Sequence, residues 1–217
     1  MRAAAWLLVG AIAASGCATV PPVTDGLDLA ARRMRIAALP GWEMRGRIAV
    51  DTGERAFQAR FRWLQQPPSL LLSVRGPFGA GSFEIDGSED ALTLRARGEQ
   101  WLLMDPETEL SALFGWWLPV GSLDSWLVGF PDEAFEARIS LEDGRLAALE
   151  QRLWTIEYLE YRLYGGVLVP GAIAMRHGPL ELRLTVDAWD PLERALNSAA
   201  AHQHNTRGIP GWGVAKR

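Results

Sequence analysis

The chain has 217 residues, 48% of them hydrophobic, and a net charge of −4. That length supports one domain with a substantial core, and the charge excludes the concentrated basic surface of a nucleic-acid binder. Lys216 is the single lysine among 22 basic residues, a compositional bias toward arginine that carries no functional reading.

Residues 1–16 read as a signal peptide. Arg2 supplies the positive start, and Ala3 to Ala14 form an apolar run too short to cross a bilayer, which takes ~20 residues. Ala14-Ser15-Gly16-Cys17 then resembles the bacterial lipobox, with Ala14 where Leu is usual. In that motif the cysteine is lipidated and becomes the mature N-terminus. Cys17 is the sole cysteine, so it has no internal disulfide partner. Ala18 follows it, instead of the Asp that marks inner-membrane retention in enterobacteria, which favours an outer-membrane destination. Residues 17–25, with Pro21-Pro22, read as the lipidated N-terminus and a tether.

A domain is expected over residues 26–189. Leu27, Ala30, Ala31, Met34 and Ala37-Ala38 recur at helical spacing, with Arg32, Arg33 and Arg35 on the polar side. Pro40-Gly41 ends this helix. From Trp42 the period becomes two. Met44, Gly46, Ile48 and Val50 alternate with Arg45 and Arg47. Phe57, Ala59, Phe61 and Trp63 then face away from Gln58, Arg60 and Arg62, the pattern of a strand with one apolar face. Leu70 to Val74 and Ser82 to Ile85 flank Arg75-Gly76-Pro77-Phe78-Gly79-Ala80-Gly81, a hairpin tip with an unexpected phenylalanine. Leu92 to Ala96 and Trp101 to Met104 continue the series.

The middle of the chain changes character. Asp105-Pro106-Glu107 is a helix start with Asp as cap, Leu110, Leu113 and Phe114 form its stripe, and Gly115 ends it. A second short helix is expected over Gly121 to Val128. Strand patterns return at Phe135 to Leu141, Leu146 to Gln151, Trp154 to Tyr161, Ala172 to Met175 and Leu180 to Ala188. Residues 190–217 lack periodicity and read as a mobile tail. The class is α+β, with strands joined by turns too short for parallel crossovers.

Catalytic chemistry is not legible. His177, His202 and His204 are the only histidines, no Cys or acidic cluster completes a metal site, and no nucleophile turn or phosphate loop is present. An enzyme is not expected, nor a cofactor. The ten tryptophans are the unusual feature: they can fill a core, or wall an apolar cavity that acyl chains enter.

The ordered set Trp42, Gly46-Arg47-Ile48-Ala49-Val50, Phe61-Arg62-Trp63, Gly76-Pro77-Phe78-Gly79, Gly115-Trp116-Trp117-Leu118-Pro119-Val120, Trp126-Leu127-Val128-Gly129-Phe130-Pro131 and Leu182-Arg183-Leu184 resembles the LolB family. The resemblance covers Cys17 to Trp189. It implies an unclosed antiparallel β-barrel, with short helices forming a lid over a hydrophobic cavity. It also implies a protein lipid-anchored to the outer membrane and facing the periplasm. Such a protein takes lipoproteins from the periplasmic carrier LolA and inserts them into the membrane's inner leaflet. On that resemblance the loop of Gly76, Pro77, Phe78 and Gly79 contacts the membrane, Phe78 being its projecting apolar residue. Phe57, Phe61 and Trp63 on the sheet, with Leu110, Phe114, Trp117 and Trp126 in the lid, are the expected acyl-chain contacts. Expected partners are LolA, lipoprotein acyl chains and the outer membrane, and a monomer is expected. The alternative is a structural or assembly-assisting outer-membrane lipoprotein whose sheet binds protein.

Overall fold

In a computed structural model, which describes residues 29–77, 81–88 and 90–192, the period-two runs become eleven strands. They are β1 (Trp42–Asp51), β2 (Ala56–Gln66), β3 (Ser69–Arg75), β4 (Phe83–Ser88), β5 (Ala91–Ala96), β6 (Glu99–Leu103), β7 (Ala137–Glu142), β8 (Arg145–Gln151), β9 (Trp154–Tyr164), β10 (Val167–His177) and β11 (Leu180–Pro191). Three short helices accompany them: α1 (Leu29–Ala37), α2 (Pro106–Phe114) and α3 (Val120–Leu127). The strands form one sheet in the order β6-β5-β4-β3-β2-β1-β11-β10-β9-β8-β7. Neighbours are antiparallel throughout, and β6 and β7 are free edges, so the barrel is unclosed. The α+β class and the antiparallel strands are those that the alternation predicts, and the unclosed barrel is the one that the family resemblance implies.

The first and last strands join the two halves. β1 pairs with β11 from Trp42↔Pro191 to Asp51↔Glu181, with a register shift between Arg45 and Gly46. Alternation then sorts the faces. Met44, Phe61, Trp63, Leu72, Ile85, Leu94, Met175 and Val186 are buried on one side, each contributing ~1.5–3 kcal/mol of burial. Arg45, Arg47, Arg60, Arg62 and Arg95 point to the other side and are exposed. The helices cover the apolar face.

Several boundaries differ from the sequence pattern. β10 extends well before Ala172 because Pro170 falls at a register shift, where the ladder does not need its missing N–H. β11 runs to Pro191, two residues past the expected domain end. Phe135 precedes β7 instead of opening it, and Ile139 and Leu141 on that strand are half exposed. The alternation at β7 is therefore real, but among the described residues no layer covers its apolar side.

Among the described residues, four two-residue turns have both central residues at positive φ: Arg97-Gly98, Asp143-Gly144, Arg152-Leu153 and Gly165-Gly166. This is the mirror-image turn geometry that matches strand twist and favours glycine. Only Arg152-Leu153 lacks one. Each L-residue held there costs roughly 1–2 kcal/mol.

Candidate functional site

The site is the interface between the helices and the apolar face of the sheet. Helix α2 begins at Pro106, whose fixed φ suits the first turn. Asp105 precedes it but makes no side-chain cap, contrary to the sequence expectation. Glu109 reaches back instead, its Oε1 accepting from the N–H groups of Met104 and Asp105 at 2.8 and 2.9 Å. Gly115 ends the helix at φ 78°, its N–H bonded to Ser111 O at 2.9 Å.

The segment after α2 lays aromatic rings on the sheet. Phe114 lies 5.2 Å from Phe83 at the start of β4 and 5.5 Å from Trp116. Trp117 lies 5.6 Å from His177 on β10, which in turn stacks on Trp154 at 5.3 Å. These contacts have no hydrogen-bond directionality, so rings can slide without leaving polar groups unpaired. His177 is thereby accounted for as a partner of two indoles. Among the described residues no cluster of three His, Cys, Asp or Glu side chains is placed to hold a metal.

Helix α3 is held more firmly. The Trp126 indole donates to Gln151 Oε1 at 2.7 Å, and its ring meets Trp154 at 6.3 Å. Gln151 is buried, yet fully used: Oε1 also accepts from Asp132 N at 2.9 Å, and Nε2 donates to Asp132 O and Phe135 O at 2.7 and 2.8 Å. Tyr158 donates to Trp126 O at 3.0 Å. Satisfied buried networks of this kind fix one arrangement.

Beside it, Arg152 spans three elements. Its guanidinium binds Glu107 of α2 through two hydrogen bonds, donates to Ser122 Oγ of α3 at 3.0 Å, and lies over Phe135 and Trp117 at 4.1 and 4.9 Å. Helix α1 is fixed by Arg32, which is 1% exposed. This overturns the expectation that Arg32 lies on the polar side of its helix. The guanidinium donates to Val128 O, Gly129 O and Leu168 O at 3.0, 2.7 and 3.2 Å, and lies over the Phe130 and Tyr161 rings. Among the described residues no carboxylate pairs with it. Burial therefore lowers its pKa, and burial likewise pushes the Tyr161 phenol up to about 12.

The structure brings most of the expected acyl-contact residues to one face. Phe61, Trp63, Leu110 and Trp126 are buried there, Phe114 and Trp117 are half-buried, and Phe57 is 47% exposed at the end of the same β2 face. Trp63 donates its indole N–H to Gln65 Oε1 at 2.8 Å. In the loop after β3, Gly76 is half-buried and Pro77 exposed. Phe78, Gly79 and Cys17 lie outside the described residues, as do the tether and residues 193–217. Sequence reading did not single out Arg32, Gln151 and Arg152, because a buried guanidinium or amide is indistinguishable from a solvated one until its partners are placed.

The outer face differs in kind. A groove of about 630 Å³ there is lined by Arg45, Arg47, Arg60, Arg62 and Arg75, with Glu84 and Asp187. Arg60 stands directly opposite Arg47 and Arg75 on the neighbouring strands.

An unclosed antiparallel sheet, charged on one face and roofed on the other by short helices seated on aromatic rings, defines the open-barrel class of covered hydrophobic sites. Residues 40–189 match the family described as Outer membrane lipoprotein LolB, and the chain belongs to that family. It is 31% identical to the Outer-membrane lipoprotein LolB of Stutzerimonas stutzeri, covering 83% of this chain and 92% of that one. The namesake in Nitrosococcus oceani is 34% identical, over 73% and 80% respectively. Among solved structures, a LolA superfamily protein of Nitrosomonas europaea matches with a TM-score of 0.48 at 10% identity, covering 71% of this chain and 87% of that one.

Proposed function

We propose that this protein is an outer-membrane lipoprotein, anchored through acylated Cys17 and facing the periplasm, that receives lipoproteins from the carrier LolA. It holds their acyl chains between the helices and the sheet and inserts them into the inner leaflet of the outer membrane. The supporting observation is the contrast within the cover. α1 and α3 are tied down by Arg32 and Gln151, whereas α2 and the segment to Trp117 rest on aromatic rings and one ion-pair clamp. Displacing that half uncovers Phe83 and His177, on the apolar face that also carries Phe61 and Trp63.

The task demands such a cover. Three acyl chains hold about 45 methylenes, and at ~0.8 kcal/mol each their exposure would cost about 35 kcal/mol. No nucleotide is needed when the chains pass from one apolar site to another and then to the bilayer. The loop of Gly76, Pro77, Phe78 and Gly79 brings the mouth to the membrane, with Phe78 entering the lipid interface. The test is Phe78→Glu: it should fold normally and accept lipoprotein, yet fail to deliver it to liposomes. Delivery at the normal rate would remove the loop from the mechanism.

A second reading, an assembly-assisting lipoprotein that binds protein on its sheet, draws on the free edge β7, where Ile139 and Leu141 are half exposed. Saturable displacement of a fluorescent fatty acid from the purified protein supports the first reading and not this one.

A further inference from the structure

Of the four turns with paired positive φ, three place glycine at the second position, and the fourth places Leu153 there at φ 63°. Asparagine or glycine would fit this position without strain. Leu153 is also 86% exposed, the most exposed large apolar side chain described. A strained backbone that presents an apolar side chain to solvent serves no packing purpose, and such outliers mark functional positions.

The tip is not free to rearrange. Arg152, its neighbour at φ 50°, is clamped by Glu107, Ser122, Phe135 and Trp117. Leu153 is therefore projected from a rigid base. Its place in the sheet says toward what. The registers Asp51↔Ala56, Arg60↔Arg75, His177↔Leu180 and Gln151↔Trp154 put the β1–β2 turn, the loop after Arg75, the β10–β11 turn and the Leu153 tip at one end of the sheet. Exposed Pro77 and half-exposed Phe57 are at that end too.

We infer that Leu153 is a second apolar contact with the lipid bilayer, so that the protein meets the membrane at two points separated across the open barrel. This rests on the reading that the bilayer lies beyond that end of the sheet. A bilayer is favoured over a protein partner on two grounds. A leucine at the tip of a narrow turn, with half-exposed Phe135 beside its base, offers too little apolar area for a protein interface, whereas a lipid interface needs no such area. In addition, Arg60 and Arg75 are exposed near that end without an acidic partner among the described residues, which suits lipid phosphates. Two contacts fix the tilt of the mouth, where one would leave the protein free to pivot.

The test uses the mature acylated protein in vesicles of phosphatidylethanolamine and phosphatidylglycerol. An environment-sensitive fluorophore is attached through Leu153→Cys, Pro77→Cys or Asp143→Cys, the last at the opposite end of the sheet. The probe at 153 should shift to the blue and be quenched several-fold by spin-labelled lipid, while that at 143 is not. A probe at 153 that behaves like the one at 143 overturns the inference. Quenching at 77 alone would retain the loop reading and remove this one; quenching at 153 alone would remove the loop reading and overturn the two-point contact. Leu153→Gly should fold at least as stably as the parent protein, yet slow lipoprotein delivery several-fold. Normal delivery by that variant also overturns a working role for the tip.

Discussion

Arg152 and Glu107 meet through two parallel hydrogen bonds of 2.9 and 2.6 Å, joining the tip of β8–β9 to the first turn of α2. The pair is partly shielded, at 14% and 26% side-chain exposure, so it is neither a loose surface contact nor a fully desolvated one. It is the main directional link between the ring-seated half of the cover and the sheet. Glu107→Gln keeps the shape but removes the charge and one of the two acceptors, leaving Arg152 a single neutral amide oxygen beside Ser122 and the two aromatic faces. We expect a stability loss of about 1–2 kcal/mol by urea denaturation. We also expect faster uptake of a fluorescent fatty acid in stopped flow. Unchanged uptake would mean that this clamp does not hold the cover closed.

Gly46 is required by contact, not by backbone angle. A Cβ there would stand 2.2 Å from Thr185 O and 2.8 Å from the Phe61 ring. The backbone oxygen cannot yield without breaking the β1–β11 ladder at its register shift. Gly46→Ala should therefore cost about 3 kcal/mol or more. Gly98→Ala meets open space and only the left-handed penalty at φ 82°, so its loss should be nearer ~1 kcal/mol. Thermal midpoints of the two variants give the comparison, and equal losses would contradict the steric account.

The succession of strands and helices along the chain and the polarity of each face were legible because period two and period 3.6 survive in sequence, whereas the pairing of β1 with β11 was not. Phe61, Trp63, Leu110 and Trp126 share a face for that reason. Burial of the arginines was not legible. Arg32 belongs by periodicity with Arg33 and Arg35, and only the carbonyls of Val128, Gly129 and Leu168, brought from distant elements, show that it turns inward. The exposure of Ile139 and Leu141 was hidden likewise, since alternation reports two unlike faces and not whether a second layer covers one.

Arg32 yields a prediction about geometry more than charge. A lysine there keeps the cation but cannot reach three carbonyls in a plane or lie flat on Phe130 and Tyr161. Arg32→Lys should lower stability by about 1–3 kcal/mol, and hydrogen exchange should quicken in α1 and around Val128 together. Loss confined to α1 would show that the guanidinium does not couple these segments.

Asp124 on α3 supplies the pH dependence. Burial holds its carboxyl above the ordinary value, and the nearby Asp132 adds to this, although the Ser125 amide opposes both. Because the folded pKa exceeds the unfolded one, the folded state binds the proton more tightly. The group favours folding most at low pH, and that contribution is lost as pH rises from the ordinary carboxylate range, ~4, through the raised folded value. Asp124→Asn can still accept from the Ser125 amide but has no charge to bury. Its stability advantage over the parent protein should therefore be smallest near pH 4 and grow toward pH 7, read from urea midpoints across that range. An advantage independent of pH would show that ionised Asp124 is not penalised in the fold.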